Sequence, residues 1–213
     1  MKRKLIFTAM FLLAAITAYV GWPRRPDLRA FDPAAMAHLE TAMWRDYYEK
    51  HYPALFYHLA ESSRTEFGFS PLQSIRIALA AARAAKTFQP THSRHEAEAA
   101  IPDLVTYYDL LRPAAPVSFD VREVAGRELD WWQARRESVG PQTYGVTVAA
   151  VAALTYGRQE ADPDIMAFGI ERAEAMAFRD ARSAAITEQD WSAIETRLHG
   201  AYQRLKTAIA KQP

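Results

Sequence analysis

Cysteine is absent from the 213-residue chain. Disulfides, thiolate catalysis, zinc fingers, iron–sulfur clusters and attached c-type haem go with it, while the redox compartment stays open. An excess of one charge is also missing, since 26 Lys and Arg stand against 25 Asp and Glu. Neutralising phosphates takes a clear surplus of cations on one face, so nucleic acid is not an expected partner. The eight glycines are scattered, and they build neither a G-x-G-x-x-G turn, nor a phosphate loop, nor a G-x-S-x-G elbow. No stretch alternates apolar and polar residues between hairpin turns, which argues against a sheet. Internal repeats and low-complexity tracts are lacking too. The length suits one domain.

One long apolar run is present. Residues 5–22 (LIFTAMFLLAAITAYVGW) carry no charge, with Lys2, Arg3 and Lys4 before them and Arg24 and Arg25 after. At 1.5 Å per residue an 18-residue helix spans about 27 Å, close to the hydrocarbon thickness of a bilayer. The run therefore predicts a transmembrane anchor built from Leu5, Phe7, Phe11, Leu12, Leu13 and Ile16, with Tyr19 and Trp22 at interface depth. A cleaved signal peptide is the rival reading. It is disfavoured because Gly21 would place Tyr19 at −3 and Ala18 would place Ile16 there, where small residues are required. The flanking cations nearly balance, Lys2, Arg3 and Lys4 against Arg24, Arg25 and Arg29. Translocating a four-residue tail made almost wholly of cations is the harder event, so the N-terminus is expected in the cytoplasm and the domain outside it, periplasmic in a bacterium.

The rest reads as helices. Asp32-Pro33, Ser70-Pro71 and Asp162-Pro163 each set a capping side chain before a proline at the first helical position, where the missing N–H costs nothing. Ser93-x-x-Glu96 and Thr187-x-x-Asp190 read as capping boxes. Helices are expected over 33–51, 53–67, 71–88, 93–112, 120–138, 142–157, 163–184 and 188–210. Pro53 parts or only kinks the first two, and Pro102 bends or splits the fourth. Trp191, Ile194, Leu198, Tyr202, Leu205 and Ile209 share one stripe of the last helix. Residues 142–157 are apolar on nearly all sides and too short to span a bilayer, so they predict a central buried helix. Leu72, Ile75, Leu79 and Ala82 recur at helical spacing among further alanines, which let a neighbouring helix come close. The expected class is all-α: residues 1–4 a basic tail, 5–22 a single N-terminal transmembrane helix, 23–31 a juxtamembrane linker and 32–213 a multi-helix bundle.

Three carboxylates sit where apolar residues are expected. Glu40 shares a face with Met36, Met43, Trp44, Tyr47 and His51. Glu128 lies among Val121, Val124, Trp131, Trp132 and Arg135, and Asp180 ends the stripe Met166, Ile170, Ala173, Met176, Ala177. A buried carboxylate needs a partner or a raised pKa. Glu40, Glu128, Asp180 and Arg135 thus form a candidate buried polar or metal site. The simpler reading pairs Glu40 and Glu128 with Arg135 or another arginine, and no metal or cofactor is expected, because the di-iron signature Glu-x-x-His does not occur. His92 and His95 lack a third ligand, and His38, His51 and His58 read as ordinary partly exposed histidines. Paired aromatics point one ring inward and its neighbour elsewhere, which makes Trp44, Tyr48, Tyr108, Trp131 and Trp132 candidates for partner binding beside their role in filling the core. The function expected from all this is a non-catalytic accessory subunit, held by the bilayer and docked on other membrane protein subunits. A membrane-tethered enzyme or metalloprotein, and an apolar-ligand carrier, are the alternatives.

Overall fold

The computed structural model describes residues 2–21 and 24–210; within the first helix it describes the side chains at 7, 8, 10–15, 17, 19 and 20. Ten α-helices and three short 3-10 turns, with no strand, make up the described residues. They are α1 (Lys2–Gly21), α2 (Pro33–Tyr48), α3 (Tyr52–Thr65), α4 (Pro71–Phe88), α5 (Arg94–Ala97), α6 (Ile101–Leu111), α7 (Val121–Glu137), α8 (Pro141–Tyr156), α9 (Pro163–Arg182) and α10 (Glu188–Ala210).

The starts follow from local chemistry. Asp32 accepts from the amides of Ala34 and Ala35, Asp162 from that of Asp164, and Ser70 closes a full capping box with Gln73. Thr187 and Asp190 exchange side-chain and backbone bonds as a second box. The predicted Ser93 box is half formed: Ser93 caps Glu96, but the Glu96 carboxylate accepts from the His92 amide instead of Ser93. Pro53 opens a new helix after a break in which Lys50 takes a φ of 62°. Pro102 falls in the first turn of α6, after a 3-10 turn at Glu98–Ala100.

From α2 onward the principal helices pack on their neighbours in chain order, with the short α5 passed over between α4 and α6, and α10 returns to lie against α2. That circuit holds two cores. One is built mainly from α2, α8, α9 and α10 and the other mainly from α4, α6 and α7, while Phe67 and Tyr156 pack against both. The α10 stripe is buried as expected, and α8 packs between α7 and α9. At the α8–α9 crossing a Cβ on Gly169 would lie 2.2 Å from the carbonyl oxygen of Gly145. Only glycine there lets the two backbones come so close. The contact fixes Tyr144 beside Gly145 and Arg172 one turn beyond Gly169.

Two segments depart from expectation. In α4 the small residues face inward, with Ser74, Ile77, Ala78 and Ala84 buried against neighbouring helices, while Leu72, Ile75 and Leu79 remain 42%, 44% and 41% exposed. Alanine packing brings helix axes close and leaves no room for larger side chains on that side. The expected linker is part of the domain: Leu28 and Phe31 are core residues, the Asp27 amide donates to Phe67 O at 3.0 Å, and the Leu28 amide donates to Ala114 O at 2.9 Å. From α10, Lys206 Nζ donates to the carbonyls of Arg29 and Phe31.

Among the described residues no helix is long and apolar enough to cross a membrane. The expected transmembrane span is thus without support at this level. Trp22 and the side chains of Leu5 and Ile16 lie outside the described residues, while Phe7, Phe11, Leu12, Leu13 and Tyr19 all stand exposed on α1.

Candidate functional site

The ring of helices points a row of polar groups and aromatic rings at its centre. Glu40 on α2, only 5% exposed, accepts from Arg172 Nε of α9 at 2.8 Å and from Arg172 Nη2. Its second oxygen accepts from Tyr202 Oη of α10 at 2.6 Å. The Arg172 guanidinium lies 5.6 Å from the Trp44 ring centre and 5.1 Å from that of Trp131, and it donates to Tyr144 Oη at 3.4 Å. Burial pushes Arg172 down, but the charge of Glu40 and the phenols of Tyr144 and Tyr202 outweigh it and hold the group above its ordinary value. Both oxygens of the acid and the face of the cation are thereby occupied. This is how a buried ion pair recovers its desolvation cost.

Arg135 and Asp180 form a second, wetter pair at 2.7 Å, and Arg135 also donates to Tyr48 Oη at 3.0 Å. Tyr48 donates to the sulfur of Met176, and the guanidinium of Arg179 stacks 3.1 Å above its ring centre.

Glu128 has a different setting. Its two oxygens accept from Tyr108 Oη at 2.7 Å and Trp132 Nε1 at 2.8 Å, and no cation pairs with it among the described residues. The carboxyl lies among rings, and burial raises its pKa above the ordinary 4.5 in spite of hydrogen bonds from Trp131, Tyr108 and Trp132 and the charge of Arg172. Burial, together with Glu128, also lifts Tyr108 well above its normal value.

The four residues expected to share one polar or metal site therefore divide among three settings. Glu40 pairs with an arginine, as the simpler reading required, and the arginine is Arg172. Glu128 pairs with none, a departure explained by the two neutral donors already facing it. Both oxygens of Glu40 and of Glu128 are engaged, Asp180 holds Arg135 through Oδ1, and among the described residues no three His, Asp or Glu gather as metal ligands. His92 and His95 stand exposed, whereas His58 is held at 2.7 Å by the buried Asp46.

The candidate partner-binding aromatics are used internally. Trp44 and Tyr108 are buried; Tyr48, Trp131 and Trp132 are partly buried, with Trp131 on Tyr144 and Trp132 on Phe88. Outside α1, the exposed rings among the described residues are Tyr47, Tyr52 and Tyr57, near the α2–α3 corner. Sequence reasoning passed over Arg172, Tyr144 and Tyr202. A signal for Arg172 existed: it continues the stripe Ile165, Phe168, Met176 at steps of three and four, an arginine where an apolar residue belongs.

Comparison with known proteins finds no matching family model, curated protein or solved structure.

Proposed function

We propose that this chain is a non-catalytic accessory or scaffold subunit, seated in a lipid bilayer through α1 and docked by its helical domain on a larger membrane protein complex. The observation that carries the reading is α1 itself: Phe7, Met10, Phe11, Leu12 and Leu13 point around the helix in different directions, and all are exposed. An apolar surface of that kind marks a place where lipid or another protein belongs. The 20 residues of α1 would extend about 30 Å. The domain adds a second argument. Glu40 with Arg172 and Arg135 with Asp180 spend their charges on one another, in the manner of structural elements that hold helices in place, and Tyr47, Tyr52 and Tyr57 offer amphipathic rings to a partner at one corner.

Alkaline carbonate washing of membranes followed by native electrophoresis in mild detergent tests the proposal. The chain is expected to stay with the membrane and to run in a stoichiometric complex that Tyr52→Ala with Tyr57→Ala weakens. Release by carbonate, or recovery of the chain alone, would overturn it.

A further inference from the structure

The outward face of α4 holds an unusual set of residues. Leu72, Ile75, Arg76, Leu79, Ala82, Arg83 and Lys86 recur at steps of three and four, and every one is exposed. In its 18 residues the helix carries no acid, and Arg76, Arg83 and Lys86 have no ion-pair partner among the described residues. Elsewhere in the domain, by contrast, arginines such as Arg45, Arg64 and Arg135 are paired. An apolar stripe with unneutralised cations beside it is the surface of a helix that lies in the headgroup layer of an anionic bilayer.

Position supports the same conclusion. The chain following α1 is bonded to the domain immediately before α4 through the Asp27 amide on Phe67 O, and the backbone at Arg25 and Pro26 lies beside Gly68. α1 itself touches α4, yet Leu72, Ile75 and Leu79 remain exposed with α1 in place. At the same end Arg24 lies over the Tyr19 ring, 5.2 Å from its centre. This short, bonded connection holds any membrane around α1 close to the first turns of α4.

We propose that α4 is a second membrane contact, its Leu72, Ile75 and Leu79 dipping between lipid headgroups while Arg76, Arg83 and Lys86 meet lipid phosphates. The proposal rests on α1 being seated in the bilayer and adds the orientation of the domain: α4 toward the lipid, α10 away from it.

The chain's lack of cysteine allows single labels. Ile75→Cys, Leu79→Cys, Phe11→Cys and Thr196→Cys are each given an environment-sensitive fluorophore in the full-length protein, which is then reconstituted into vesicles of phosphatidylcholine alone or mixed in equal parts with phosphatidylglycerol. Headgroup-nitroxide lipids serve as quenchers for the labels at 75, 79 and 196, and lipids carrying the nitroxide deep on the acyl chain serve for the label at 11. Labels at 75 and 79 are expected to be quenched, more strongly in anionic vesicles, while the label at 196 on α10 is not. Replacing Arg76, Arg83 and Lys86 with Glu is expected to lower quenching at 79 at least about twofold in anionic vesicles, with the label at 11 unchanged. Quenching at 11 without quenching at 75 and 79 sinks the α4 contact and leaves the seated α1 standing. No quenching at 11 sinks both.

Discussion

Glu40 and Glu128 occupy equivalent places in the sequence, each inside the apolar stripe of an amphipathic helix, and the fold gives them opposite company. Glu40 meets the guanidinium of Arg172 and the phenol of Tyr202, whereas Glu128 is in hydrogen-bonding contact only with neutral donors such as Tyr108 and Trp132. An acid in direct contact with a counter-charge binds its helix to another. One that meets neutral dipoles is left with a raised pKa and a smaller stake in the fold.

The largest expected effect comes from removing the cation. Arg172→Met should cost about 3–5 kcal/mol in denaturant unfolding, because Glu40 is left buried without compensation, and combining it with Glu40→Leu should recover most of the loss. A single variant within about 1 kcal/mol of wild type would erase the distinction between the two acids. Next, Gly169→Ala drives a methyl into the backbone of α8 and should cost about 1–3 kcal/mol by the same measurement, displacing Arg172 from its partner. If the stability held, the close crossing would not be what places the arginine.

Glu128→Gln should cost only about 1 kcal/mol, since its amide oxygen accepts from Trp132 while its NH2, in place of the other oxygen, donates to Tyr108 Oη, a hydroxyl that can turn from donor to acceptor. Its pH profile is more telling. With the folded-state pKa raised above the ordinary 4.5, the native state holds the proton longer than the unfolded chain does. The contribution of Glu128 is therefore full below 4.5 and is lost as pH rises through the folded-state value. Unfolding measured from pH 4 to pH 8 should show wild type losing ground to the Gln variant across that interval; a constant difference would remove the raised pKa. The smallest effect is expected at Ser74, a buried hydroxyl on α4 with no hydrogen-bond partner among the described residues. Ser74→Ala should leave stability unchanged or raise it by up to about 1 kcal/mol, the limiting case of a polar group given no company at all.

What could be read in the sequence was what neighbouring residues decide among themselves. Asp32, Ser70, Asp162 and Thr187 cap helices through bonds two or three residues away, so the starts were visible, as was the buried stripe of α10. The partner of Glu40 lies 132 residues along the chain, and nothing local connects the two. Periodicity located the stripe of Leu72, Ile75 and Leu79 but not its direction, because alanines on the other side satisfied the packing. The 23–31 stretch looked like a linker because the attachment of its described residues, 24–31, runs largely through backbone groups and two buried side chains, Leu28 and Phe31, which composition does not register.

That attachment has a mechanical consequence. Lys206, near the end of the last helix, grips the carbonyls of Arg29 and Phe31 near the start of the domain, so the first and last parts of the fold share one fastening. A pull transmitted along α1 would load α10 directly instead of straightening a slack tether. The start of α2 and the end of α10 would therefore shift together, each carrying the other when either is loaded.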